Sequence, residues 1–135
     1  IVIEMSIRKF TELKAWKKAR TLRKEIAELA KHFPSEERYR LIDQVLRSSR
    51  SVTANIAEGY GRYHHQENIQ FCRIARGSLS ETLDHLIPAN DEDFISESQL
   101  IEFEEKIGEC TKLLNGYIKY LVKAKATPNN QQSNT

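Results

Sequence analysis

Residues 51–62, SVTANIAEGYGR, set two glycines, a tyrosine and an arginine behind a run of small residues. A glycine-rich turn ending in a cation is one way to hold a phosphate, because bare backbone N–H groups can approach the anion. The spacings that do so, GxGxxG behind a strand and GxxxxGKS/T, are both missing, and the residues in front are helical in pattern. The stretch therefore predicts a helix ending, with Gly59 and Gly61 forming a left-handed cap and Tyr60 and Tyr63 packing over the loop. Arg62, on that turn, stays a candidate phosphate contact.

Other chemistries are harder to assemble from this chain. A di-iron bundle needs inward glutamates with Glu-x-x-His pairs, whereas Glu28 and His32, like Glu81 and His85, stand four apart. His64 and His65 adjoin at a helix start with no third ligand spaced to help. Ser48, Ser49, Ser51 and Ser78 have no histidine that a local helix would bring to them. The expectation is a non-enzyme with no catalytic residues, no metal and no cofactor. Cys72 and Cys110 sit in apolar helical patterns without CxxC spacing and read as small core residues in a reducing cytoplasm.

The cations carry more. At about 100° per residue, Lys17, Arg20, Lys24 and Lys31 fall nearly opposite the apolar stripe of the first helix, with Glu28 on their flank. Arg40, Arg47 and Arg50 point outward from the second, partly offset by Asp43. Adjacent antiparallel helices would join these side chains, with Arg62 at the edge, into one basic plate, and such a plate grips phosphates without reading bases. Residues 1–62 hold fourteen Lys/Arg against eight Asp/Glu, giving +6, and the remainder seven against eleven, giving −4. Ordinary solvated helix faces show the same pattern, so on charge alone both readings stand. Arg73 and Arg76 either extend the plate or fill internal ion pairs.

Four helices must position these groups. The first is expected over 11–33, capped by Thr11 and stopped by Pro34, with Trp16, Ala19, Leu22, Ile26, Leu29, Ala30 and Phe33 inward. The second opens after Ser35 and buries Ile42, Val45, Leu46, Ser49, Val52, Thr53 and Ile56. Beside that stripe runs a small polar face, Gln44, Ser48, Ser51 and Asn55, over which another helix can approach closely. The third, 65–87, turns Phe71, Cys72, Ala75, Leu79, Thr82, Leu83 and Leu86 inward and is closed by Pro88. Gly77 at its middle costs ~1 kcal/mol relative to alanine, which suggests a tight contact with another backbone. After the acidic linker ANDEDFI, a capping box of Ser96 and Gln99 opens the fourth helix, with Leu100, Phe103, Ile107, Cys110, Leu114, Tyr117 and Leu121 inward. Ser48, Ser51, Asn55 and Gly77 are thus the candidates for close helix or subunit packing.

The whole reads as all-α, an antiparallel up-down-up-down four-helix bundle over 11–125. It lies between a flexible arm at 1–10, where Met5 is a candidate natural start, and a disordered polar tail at 126–135. A chain of 135 residues is one domain's worth. No apolar run approaches the roughly 18 residues of a membrane span, and no signal peptide is evident, so a soluble cytoplasmic protein is expected.

The ordered motifs FTELKAW, KHFPSEERYRL, SVTANIAEGYGR and FCRIARGSLSE resemble the four-helix-bundle family named for intervening sequences in bacterial large-subunit ribosomal RNA genes, over about residues 10–121. The resemblance implies a ring-shaped homopentamer of such bundles, non-enzymatic, with a positive surface for nucleic acid, RNA more than DNA. A related branch resembles the accessory variability determinant of diversity-generating retroelements, which implies the alternative of a protein-interaction adaptor partnering a reverse transcriptase. His64 replaces a family serine after Gly-x-x-Arg-x, and Pro88 stands where the family has a longer helical run. Both departures bear on the ends of the third helix.

Overall fold

The apolar stripe near the N-terminus forms helix α1, Lys14–Ala30, preceded by a 3-10 turn at Phe10–Glu12. Helix α2 spans Leu41–Tyr60, α3 His65–Asp91 and α4 Glu97–Lys125. The computed structural model describes residues 7–126, and no strand occurs among them. Each helix packs on its neighbour in sequence, and α1 closes the circuit against α4. This is the arrangement expected when short connections force consecutive amphipathic helices to lie antiparallel and bury their stripes together.

The stripes fill the interior as their spacing requires. Ile26, Val45, Ile56, Cys72, Leu79, Leu86 and Leu114 are fully buried, while Trp16, Ile42, Leu46, Leu83 and Leu100 close its margins half-buried. Burial of the two thiols raises both pKa values to about 12, so Cys72 and Cys110 are inert core groups.

The most extensive helix contact, α2 against α3, is bridged by small hydroxyl residues. Ser51 Oγ lies 2.9 Å from Ser78 Oγ, and Thr82 Oγ1 lies 2.9 Å from Ser48 Oγ. Asn55 Nδ2 donates to the Ser51 carbonyl at 2.8 Å and reaches Ser51 Oγ at 2.9 Å. Ser48 and Ser51 thus meet α3 of the same chain, whereas Asn55 bonds back to Ser51 on its own helix.

Several boundary expectations are corrected. Thr11 caps no helix: α1 begins after Leu13, because Phe10 turns back and sets its ring edge-on to Trp16, with centroids 5.4 Å apart. Ser35 opens a 3-10 turn, Ser35–Glu37, and α2 starts only at Leu41, with Arg40 at its N-cap. Gly59 and Gly61 form no left-handed cap. Gly61 is helical in conformation, at φ −73°, and α2 runs straight into the turn. Pro88 does not close α3, which continues to Asp91 because buried Leu86 and Ala89 keep that face in the core. The reversal falls instead to Asp93, at φ 62°, where Phe94 N bonds the Ala89 carbonyl at 2.8 Å.

The glycines also exchange roles. Gly77 faces outward and an added Cβ would meet nothing within 4 Å, so it makes no tight contact inside the bundle. At Gly59 the Cβ would lie 2.7 Å from Asn68 Oδ1 and 2.9 Å from Phe71 Cβ, so here the missing side chain lets α2 meet the start of α3. Of the arm expected at 1–10, residues 7–10 pack on the bundle: Ile7 and Phe10 lean on the core. Residues 1–6, with Met5, and 127–135 of the expected tail lie outside the described residues.

Candidate nucleic-acid interface

Helix α1 holds six cations, Lys14, Lys17, Lys18, Arg20, Arg23 and Lys24, against two anions, Glu25 and Glu28. Its apolar positions point at α2 and α4, and a 3.6-residue period then leaves Lys17, Arg20 and Lys24 on the solvent side, where all three are exposed. Among the described residues none of the three has an ion-pair partner. Lys31 is exposed too, but its Nζ lies 2.7 Å from Glu28 Oε1, and this contact holds the Glu28 carboxyl below its ordinary range.

Helix α2 presents a different face. Arg47 Nε stands 3.4 Å from Asp43 Oδ2, and Arg40 Nη1 stands 3.9 Å from Glu37 Oε2. Only Arg50 of the expected set is exposed there without an ion pair among the described residues. Arg62 is not a free phosphate contact: Nη2 meets Glu58 Oε2 at 3.0 Å, Nη1 meets Glu67 Oε2 at 3.4 Å, and the guanidinium covers the Phe71 ring at 4.9 Å. It clamps the α2–α3 turn. Arg76 fills no ion pair among the described residues either, donating to Asn115 Oδ1 at 2.8 Å, while Arg73 is exposed.

Spacing within single helices conceals a polarity along the bundle. The start of α1 lies beside the middle of α4: Lys18 pairs with Glu109 at 2.7 Å, and Cys110 Sγ lies 3.9 Å from the Ala15 carbonyl. Lys125 Nζ in turn contacts Gln66 at the start of α3. Ile7 and Leu13 line one cavity with Tyr117, Tyr120 and Leu121, which brings the neighbouring Arg8, Lys9 and Lys14 to the end of the bundle where α4 closes with Lys119, Lys123 and Lys125. The opposite end gathers Glu36, Glu37, Asp91, Glu92, Asp93 and Glu97, around a cleft lined by Glu37, Arg40 and Glu92. Sequence reasoning missed the basic end because its lysines come from opposite ends of the chain. The run of lysines closing α4 was the available signal.

The α1–α4 groove carries more carboxylates than ammonium groups, Glu25, Glu28 and Glu102 against Lys24 and Lys106. Lys106 sits between Glu25, which it contacts directly, and Glu102 at 3.0 Å, and these carboxylates hold its ammonium above its ordinary pKa. Among the described residues no group of three His, Cys, Asp or Glu side chains could hold a metal ion. Glu81 and His85 simply share a 3.2 Å contact on the surface of α3. No described helix is long and apolar enough to cross a membrane.

Comparison with known proteins agrees with the helical fold. The family described as 23S rRNA-intervening sequence protein matches residues 11–116. A crystal structure from Bacteroides thetaiotaomicron, a protein of unknown function from the S23 ribosomal protein family, superposes with a TM-score of 0.71 at 26% identity. That match covers 78% of this chain and 98% of the other. No curated protein matches.

Proposed function

The chain belongs to the 23S rRNA-intervening sequence protein family, and from that premise we propose that it is a non-enzymatic protein that binds nucleic acid through the outer face of α1. The observation that carries this reading is the exposure of Lys17, Arg20 and Lys24 without ion-pair partners among the described residues. Cations already neutralised by carboxylates release few counterions on meeting a phosphate, whereas free ones release them fully, and that release drives polyanion binding. Arg50 adds to the face from α2. The family's description concerns ribosomal RNA, which favours RNA over DNA as the ligand and the cytoplasm as the setting.

The reading includes a homopentamer. Gly77, Gly108 and Gly116 lie on the outside of α3 and α4, where an added Cβ would meet nothing. Each gives up ~1 kcal/mol of helix stability without gaining a close contact inside the bundle. Exposed Ile74, Ile87, Ile101 and Val122 share these helices. Packing between copies would use both features, and five modest basic faces on one ring would bind a polyanion tightly through multivalency.

Titrating labelled RNA at roughly 50 and roughly 200 mM salt tests the function, with affinity expected to fall by about 0.7 log units per log unit of salt for each phosphate contact on a single strand. Affinity indifferent to salt would sink it. Light scattering tests the ring, which should weigh about five times the 15.7 kDa chain.

A further inference from the structure

At the basic end, the α2–α3 turn and the C-terminal part of α4 enclose a cavity of about 340 Å³. That is within the range of small-ligand sites, ~300–1,000 Å³. Four tyrosines line it, Tyr60, Tyr63, Tyr117 and Tyr120, together with His64 and His65. Its interior is ordered by hydrogen bonds. Asn68 Nδ2 donates to the Tyr117 hydroxyl at 2.9 Å, and the Tyr60 hydroxyl donates to the Ile7 carbonyl at 3.4 Å. Tyr117 and Tyr120 stack with centroids 6.3 Å apart and planes 13° off parallel. The absent side chain of Gly59 is what lets Asn68 reach this position.

Tyr63 does not share that order. Its place in the sequence predicts packing over the loop, yet it is 78% exposed at the cavity's rim. An exposed phenol ring loses hydrophobic burial, and in a short turn held rigid by the Arg62 clamp its position is set without it. Tyr39, at the acidic end, is as exposed, but its ring stands 5.6 Å from the Arg38 guanidinium. Tyr63 instead borders a cavity walled by rings and by Arg62, and the cations Arg8, Lys14 and Lys119 adjoin its lining residues Ile7, Leu13 and Tyr120 in sequence. Aromatic faces beside a cationic track are how proteins hold single strands, since every base has a π-face to stack and every linkage a phosphate. His65, half-buried and held below its ordinary pKa by desolvation, is a neutral ring offering one donor and one acceptor at neutral pH.

We infer that this cavity receives an unpaired nucleobase of a single-stranded RNA, stacked on Tyr63, while the cations of the basic end and of α1 hold the flanking phosphates. The inference rests on the nucleic-acid reading and narrows it: the plate accepts any polyanion, and the cavity accepts only a base free to leave its stack. A base paired within a duplex cannot enter.

The test compares a single-stranded oligouridine of about 12 nucleotides with an RNA duplex of similar length. Tyr63→Ala should weaken the single strand by at least about fivefold, the lower bound for losing one base–aromatic stack, and leave the duplex unchanged. Tyr63→Phe, which keeps the ring, should bind as the parent does. An oligonucleotide carrying 5-iodouridine should photocrosslink to the peptide containing Tyr63. Equal weakening of both RNAs by Tyr63→Ala, no weakening of either, or crosslinks confined to other peptides overturns the inference. If charge reversal on α1 weakens both RNAs while Tyr63→Ala affects neither, the cavity fails and the basic face survives. If neither substitution matters, the nucleic-acid reading falls with it. Because Tyr63 is exposed, an unchanged melting temperature should show that both variants fold.

Discussion

The outer faces of α1 and α2 look alike in sequence and differ in what they offer. Both place cations opposite an apolar stripe at the same helical spacing. On α1, Lys17, Arg20 and Lys24 stand free of carboxylates among the described residues. On α2 and its flanks, Asp43, Glu37 and the pair Glu58 and Glu67 neutralise Arg47, Arg40 and Arg62. Periodicity tells which way a side chain points, but the residues three, four or five positions away decide whether its charge is available.

That contrast can be broken by experiment, and the largest effect should come from α1. Lys17→Glu, Arg20→Glu and Lys24→Glu together should weaken RNA on the order of a hundredfold, if each cation is worth ~1 kcal/mol. They should also flatten the salt dependence by about two, at roughly 0.7 for each phosphate no longer neutralised on a single strand. Retained affinity would erase the distinction between the faces. Arg50→Ala, removing the cation of the α2 set that stands free among the described residues, should cost about fivefold, or ~1 kcal/mol. Asp43→Asn should act with opposite sign: it frees Arg47 and tightens binding about twofold, the scale of an exposed ion pair at ~0.5 kcal/mol. Fluorescence anisotropy reads all three.

Arg62→Ala sharpens the comparison from the other side. Affinity for an RNA duplex, which cannot enter the cavity that Arg62 lines, should hold, while urea unfolding should show a loss of ~1 kcal/mol or less, because both ion pairs are substantially exposed and screened and the ring contact is modest. The smallest effect is a pH dependence at the basic end. Desolvation lowers the pKa of His65 in the folded chain, so the unfolded chain binds that proton more readily. Its contribution to stability is therefore present above the ordinary histidine value of about 6.5 and is lost as the pH falls through the lowered folded-state value. Chemical denaturation at pH 7 and pH 5.5 should show a decline that is smaller in His65→Gln.

Much of the fold was legible in the chain because burial follows a 3.6-residue period. The four stripes, the capping box at Ser96 and Gln99, and the small hydroxyl face of α2 all follow from neighbours within one or two turns. Boundaries were less legible. Pro88 reads as a stop, but the burial of Leu86 and Ala89 outweighs one missing backbone bond, and Asp93 makes the reversal. The candidate site was legible only in part: the direction of each cation and the carboxylates within a turn of it could be counted, but not the pairs across helices, Lys18 with Glu109 and Lys106 with Glu25, that seat α1 against α4.

By itself the sequence determined an all-α chain, four amphipathic rods, a surplus of positive charge in its first half and two buried thiols, since each depends on residue type and local spacing. Tertiary structure decided that Lys18 pairs with Glu109 on another helix, that Gly59 and not Gly77 is the point of close approach, and that Tyr63 borders a cavity walled by Tyr117 and Tyr120. Those outcomes depend on distances between residues some fifty positions or more apart in some cases, and such distances exist only once the stripes have sealed and brought the helices into register.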